Sequence, residues 1–99
     1  MSSPLPLAAP EAERALSPAS VCFSLHARPE PGVLPRVVEL FAKRGLVPHK
    51  FTSAVAGQGL TIEVQAAGLD RNVADYMARC MRQIVGIEAV LTCETRTSG

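Results

Sequence analysis

Two kinds of hydrophobic spacing alternate along this sequence, and their order constrains its fold more than any other feature. From Val21 to Leu25, apolar and polar residues alternate one by one, as in a strand with one buried face. After Gly32, apolar residues recur at three- and four-residue intervals, which is typical of an amphipathic helix. The apolar positions of this helix are Val33, Leu34, Val37, Val38, Leu40 and Phe41. The chain therefore begins its fold with a strand and then a helix.

Turn-forming residues mark the ends of these two elements. The stretch Arg28-Pro-Glu-Pro-Gly32 predicts a turn, because each proline biases the preceding residue away from helix and the glycine permits a close or unusual backbone. Gly45 suits the position just past the helix C-terminus. Lys43 and Arg44 precede it and complement the negative end of the helix dipole. We expect the first helix to begin after Gly32 and to end before Gly45.

The next part of the sequence has the features of a β-hairpin. Residues 46–55 are rich in β-forming residues, which predicts a second strand. Gly57-Gln58-Gly59 then supplies a hairpin turn. Residues 60–64 alternate apolar and polar side chains, so a third strand with one buried face follows.

A second helical stripe precedes the last predicted strand. Asp70 is expected in the first turn of this helix, and Gly86 follows its end. The apolar stripe consists of Leu69, Val73, Tyr76, Met77, Cys80 and Ile84. Its spacing predicts that Tyr76 and Met77 pack in the core. Residues 87–94 are interpreted as the fourth strand.

The resulting order, β-α-β-β-α-β, predicts a ferredoxin-like α+β sandwich. Right-handed crossovers and short connections convert this order into a four-stranded antiparallel sheet with both helices on one face. Residues 1–18 are rich in Pro, Ala, Ser and Glu and are expected to form a disordered arm. We expect residues 19–96 to form the folded domain and residues 97–99 a flexible tail.

Composition argues against several classes of function. The net charge is +1 and the basic residues are dispersed, which disfavours nucleic-acid binding. No apolar run approaches the roughly 18 residues of a membrane helix. The first ten residues lack the basic start and apolar stretch of a secretion signal, so we expect a soluble, cytoplasmic protein. The three cysteines, Cys22, Cys80 and Cys93, are widely spaced, so we expect no disulfide framework and no metal site. Each lies within an apolar stretch, which predicts packing in the core. We expect no cofactor.

Particular positions disfavour other functions known for this fold. A soft-metal carrier needs a Cys-x-x-Cys motif in the first loop, where Arg28-Pro-Glu-Pro-Gly32 stands. An RNA-recognition domain needs stacking aromatic residues on its third strand, and residues 60–64 contain none. His26, His49 and Glu30 have no nucleophile at a matching spacing, so we expect them to be solvated and predict no catalytic residues. We therefore do not expect an enzyme.

The first loop and helix resemble the opening of ACT domains, which share the βαββαβ fold. A Pro-Gly turn at 31–32 is followed by an aliphatic-aliphatic-x-Arg helix that ends in Arg44-Gly45, and the resemblance covers about residues 20–95. Residues 36–45 and 81–90 look similar to segments of the short, single-domain small regulatory subunit of acetolactate synthase. This resemblance implies a non-catalytic subunit that activates a thiamine-dependent large subunit in branched-chain amino-acid biosynthesis. The alternative is a free-standing ACT protein that senses an amino acid.

The resemblance also implies a ligand site at the first loop. Gly32 would let backbone amides approach a ligand carboxylate at the positive end of the helix dipole. Effector-sensitive relatives carry Asn or Asp where this chain has Pro29, and a polar residue where it has Val47. We therefore expect weak binding of an amino-acid effector. The candidate ligand-binding residues are Glu30, Pro31, Gly32, Val33, Leu34 and Val47.

The fold further predicts a homodimer. A four-stranded sheet leaves unpaired strand edges and one uncovered face, which a second copy can cover. Strand one or two and helix one are the expected contact elements, with Val21 and Phe51 at or near the interface. The partners expected are thus a second copy, a catalytic large subunit and an amino-acid effector.

Overall fold

A computed structural model describes residues 20–95 and has the predicted order of elements. The strands pair antiparallel in one sheet, in the order β2-β3-β1-β4, and this is the expected ferredoxin-like α+β arrangement. The elements are β1 (Ser20–Ala27), α1 (Val33–Lys43), β2 (Lys50–Ala56), β3 (Gly59–Ala66), α2 (Arg71–Arg82) and β4 (Ile87–Thr95). The predicted arm at 1–18 and the predicted tail at 97–99 lie outside the described residues.

The core lies between the two helices and one face of the sheet. In β1 the odd-numbered residues are buried, whereas Cys22 and Ser24 are half-buried and His26 is exposed. The rings of Phe23 and Phe41 meet edge to face, with centroids 5.9 Å apart, and so join β1 to α1. The buried residues are Val21, Phe23, Leu25, Ala27, Val33, Val37, Phe41, Leu60, Ile62, Val64, Ala66, Leu69, Ala74, Met77, Ala78, Met81 and Val90. The opposite face of the sheet is left without a covering layer by the described residues.

The helix ends follow from local hydrogen bonding. The amide of Gly45 donates to the carbonyl of Ala42 at 3.0 Å, and its φ of +69° ends α1 as predicted. Asp70 is not in the first turn of α2 but is its N-cap, where its carboxylate accepts from the amide of Val73 at 2.9 Å. Neither described helix is long and apolar enough to cross a bilayer.

Strand β2 begins four residues later than the sequence predicts. Leu46 is hydrogen-bonded back to the end of α1, because its amide donates to the carbonyl of Phe41 at 2.9 Å. The amide of His49 then donates to Gln65 at 2.9 Å, and regular pairing starts at Lys50. Residues 46–49 are therefore a connection and not part of the strand.

The stripe of α2 is rotated relative to the predicted one. Met77 is buried as expected, but Tyr76 is 46% exposed, so its predicted core position is wrong. Successive helical residues point about 100° apart, and the buried face follows the small alanines next to the sheet. The buried positions are Ala74, Met77, Ala78 and Met81.

The cysteines are not core residues, contrary to expectation. Cys22 and Cys80 are half-buried and Cys93 is exposed. Cys22 and Cys93 are directly opposite each other across the β1–β4 pair, on the sheet face away from the helices. Their positions alternate with core positions along each strand, and for Cys22 the alternation from Val21 to Leu25 already indicates this.

Strand β1 cannot provide a dimer edge as the sequence suggested. It pairs with β3 on one side and with β4 on the other, and Val21 is 1% exposed within the core. The edges of the sheet are β2 and β4. Phe51, on the edge strand β2, is half-buried.

Candidate functional site

The loop between β1 and α1 is held against the loop before β4. The amide of Arg28 donates to the carbonyl of Gly86 at 2.8 Å, which ties the end of β1 to that second loop. The amide of Val33 donates to the carbonyl of Glu30 at 3.1 Å and closes the turn into α1. The candidate site is therefore built from two loops at one end of the sheet.

Gly86 makes this close approach possible. It is buried, its φ is +102°, and a Cβ placed on it would lie 2.9 Å from Val33 Cγ2 and 3.2 Å from Glu30 Oε1. A side chain here would strain the backbone and also push the two loops apart. The sequence pattern identified Gly86 only as a residue after a helix, because the contact partner lies more than 50 positions away.

Polar side chains of the turn are satisfied within the turn itself. Arg28 Nε donates to Glu30 Oε2 at 3.0 Å in an ion pair that is about half exposed. Arg36 Nη1 reaches back one helical turn and donates to the carbonyl of Gly32 at 3.2 Å. Gly32 has φ −79°, an ordinary conformation, so of the close or unusual backbone expected at this position only the close approach is present. The glycine leaves room for the Arg36 guanidinium, which a Cβ would meet.

The N-terminus of α1 is the feature of this loop that suits a carboxylate. No side chain caps the helix, and its first turn contains no acidic residue. The amide of Val33 already donates to Glu30, so the remaining amides of this turn, which carry partial positive charge, are the ones that favour a bound anion. Among the predicted ligand residues, Glu30 and Pro31 are exposed, Gly32 and Leu34 are half-buried, and Val33 is in the core. A ligand would therefore meet backbone and the edges of side chains.

Val47 does not join this loop within one chain. It is 86% exposed and lies beyond the opposite end of α1, whose 11 residues span about 16 Å. The strand register leads to the same conclusion. Lys50, at the start of β2, pairs with Gln65, which lies next to the start of β1. The β1–α1 loop leaves the other end of β1, where Ala27 pairs with Leu60. The six predicted ligand residues thus form a cluster of five and one remote position.

The two histidines are also apart. His26 lies near the end of β1 and His49 precedes β2 at the other end of the sheet, and both are exposed. Within residues 20–95, no group of three or more His, Cys, Asp or Glu side chains is placed to hold a metal ion. The described histidines therefore do not meet in one site.

Comparison with known protein families places this geometry in context. The family described as ACT-like domain matches residues 14–98 of the chain, which includes every described element. No significant match was found among curated proteins.

Several solved structures share the fold. The ACT domain of a GTP pyrophosphokinase from Chlorobium tepidum superposes with a TM-score of 0.67 and 8% identity, covering 77% of this chain and 99% of that one. The C-terminal domain of the MgtC protein from Mycobacterium tuberculosis also has a TM-score of 0.67, with 14% identity and coverage of 80% and 89%. An uncharacterized protein from Thermotoga maritima gives 0.63, with 13% identity and coverage of 77% and 95%. At these identities the likeness concerns the fold alone.

Proposed function

We propose that this chain, which belongs to the ACT-like domain family, is a non-catalytic regulatory module that acts on a separate catalytic subunit. ACT domains are generally regulatory and bind amino acids. Further support comes from the β1–α1 turn, where the N-terminus of α1 has no side-chain cap and two loops are joined by a hydrogen bond. Function must be argued from such a site because the fold hosts many activities.

The proposed partner is the large subunit of acetolactate synthase, in the cytoplasm. One observation carries this choice: the two segments that resemble the synthase's small subunit, 36–45 and 81–90, both contribute to the same turn. Arg36 hydrogen-bonds the carbonyl of Gly32, and Gly86 packs against Val33. Separate parts of the sequence with the same resemblance therefore meet at one place.

The response to valine should be weak. Pro29 offers no side-chain hydrogen bond to a ligand, and Val47 is remote from the turn within one chain. Backbone amides could hold the carboxylate of an amino acid, but the Glu30 carboxylate that its ammonium group would meet is already paired with Arg28.

The test is synthase activity of the large subunit from the same organism, measured with and without this chain across a valine titration. We expect stimulation of activity that persists at low millimolar valine. No stimulation would refute the partnership. Stimulation abolished by micromolar valine would leave the partnership standing and contradict the weak response.

The second candidate is a free-standing amino-acid sensor, favoured by the uncapped N-terminus of α1. A ligand at 100 times its dissociation constant would stabilise the protein by about 2.7 kcal/mol, which a thermal-shift screen of amino acids detects. Gly32→Asp should abolish such a shift, because it places a negative charge beside the ligand carboxylate. Ala67→Asp, at an exposed position between β3 and α2, is the matched control. A shift retained in Gly32→Asp would exclude this site.

We also propose a homodimer that forms through the β2 edge. Among the described strands, β2 pairs with β3 alone, and its Val55 is 64% exposed on the side that the helices cover elsewhere. An edge strand with exposed apolar side chains is a template for a second copy. Phe51, half-buried on the same side of the strand, would then lie near the interface as expected from the sequence.

A further inference from the structure

The layer of helices contains a groove that the regulatory turn does not use. A cavity of about 350 Å³ lies between α1 and α2, and a second of about 360 Å³ adjoins it along α2. The two cavities share Tyr76 and Cys80 and together form the interhelical groove. Its lining residues are Leu40, Lys43, Arg44, Tyr76, Met77, Arg79, Cys80 and Gln83. The volume lies in the range of small-molecule sites, and the groove is open to solvent.

Two guanidinium groups converge on one aromatic ring in this groove. Arg44 Cζ lies 4.7 Å from the centroid of the Tyr76 ring, and Arg79 Cζ lies 5.9 Å from the same centroid. These cation–π contacts hold the two side chains over the groove and reduce the entropy lost when a ligand binds. Lys43 adds a third positive charge to the lining.

None of these positively charged side chains is in an ion pair in the part of the chain that the structure describes. The ion pair found there joins Arg28 to Glu30, and no described carboxylate or carbonyl oxygen accepts from the side chains of Arg44, Arg79 or Lys43. The lining of the groove contains no Asp or Glu. Like charges held close together repel each other, and a polyvalent anion between them would remove that repulsion.

We propose that the interhelical groove binds a small organic phosphate. Its phosphate oxygens would accept hydrogen bonds from Arg44, Arg79 and Lys43, since guanidinium groups bind phosphate oxygens in a fork geometry. A phosphate with two or more negative charges matches three cations better than a single carboxylate does. The apolar or planar part of the ligand would lie against Leu40 and the exposed part of the Tyr76 ring. This site is independent of the proposed function.

The test is an NMR titration of the full chain with inorganic pyrophosphate, adenosine diphosphate and adenosine, at constant ionic strength. We expect saturable shifts of the Arg44 and Arg79 side-chain NH signals with the two phosphates. Adenosine diphosphate should bind more tightly than pyrophosphate, because it adds a planar group, and adenosine should bind least.

Variants separate a built site from general electrostatic attraction. Arg44→Gln and Arg79→Gln should each weaken pyrophosphate binding at least about tenfold, since each removes a charge-assisted donor. Arg71→Gln is the matched control, because Arg71 is exposed on the same helix as Arg79 but lines a different cavity. Equal thermal unfolding midpoints would show that the exposed substitutions leave the fold intact.

Three outcomes would overturn the proposal. One is the absence of saturable binding. Another is an equal loss of affinity in Arg71→Gln, which would mean attraction to net charge alone. The third is a set of shifts centred on residues 30–34, which would assign the anion to the β1–α1 turn. If adenosine diphosphate bound no tighter than pyrophosphate, the role given to Leu40 and Tyr76 would be wrong.

Discussion

The backbone conformations of Gly86 and Gly32 differ from what their places in the sequence suggest. Gly32 stands in the Pro-Gly motif but has an ordinary backbone conformation, and its small size serves the Arg36 side chain. Gly86 is identified by the sequence only as the glycine after α2, yet it has φ +102° and lies against both Val33 and Glu30. The local signature of this residue therefore does not reveal that it decides whether the two loops can meet.

Gly86→Ala should destabilise the fold by about 2 to 4 kcal/mol, because a Cβ strains the positive-φ backbone and collides with Val33. Gly45→Ala is the matched control, since Gly45 has φ +69° and a Cβ added there would meet no atom within 4 Å. The control should lose only about 1 kcal/mol. Urea unfolding of both variants measures the difference. Equal losses would mean that backbone strain alone matters at Gly86.

In the two helices, the spacing of apolar side chains determines where each helix lies in the sequence, and packing determines which face is buried. The spacing of apolar residues placed α1 and α2 close to their observed bounds. The buried face of α2 was misjudged because Tyr76 is apolar enough to fit a stripe, whereas Ala74 and Ala78 are small enough to approach the sheet. Which residues face inwards depends on the surface they meet, and that surface comes from distant strands.

The N-cap of α2 should contribute measurably to the stability of the fold. Asp70→Ala should lower stability by about 1 kcal/mol, because the amide of Val73 loses its carboxylate acceptor. Asp75→Ala, at an exposed position on the same helix, removes the same charge without removing a cap and should change stability little. Chemical unfolding with equal m-values for both variants provides the measurement. A larger loss in Asp75→Ala would show that Asp70 has no special capping role.

Within residues 20–95 the sheet has two unpaired edges, and the proposed dimer uses one of them. Val55 on β2 and Leu91 on β4 are similarly exposed, at 64% and 65%. They differ in face, because Leu91 is opposite Ser24 on the side away from the helices, whereas Val55 is opposite Leu60 on the helix side. This difference allows one edge to be tested against the other.

Val55→Lys should convert the dimer to a monomer, since it would bury a charge at the proposed interface. Leu91→Lys, the matched change on the other edge, should leave the dimer intact. Sedimentation velocity at tens of micromolar distinguishes these states. A dimer that persists in Val55→Lys and dissociates in Leu91→Lys would assign the interface to β4, and a monomeric unmodified chain would remove the dimer altogether.

Three features could be predicted from the sequence, because each depends on residues that are close together in it. They are the order of elements, the alternation in β1 and β3 and the end of α1 at Gly45. The central position of β1, the separation of Val47 from the β1–α1 loop and the meeting of Gly86 with Val33 were decided only by the tertiary structure. The same holds for the convergence of Arg44 and Arg79 on Tyr76. The physical reason is that hydrogen-bonding period and turn chemistry act locally, whereas burial, edge pairing and charge clustering depend on contacts between residues that are far apart in sequence.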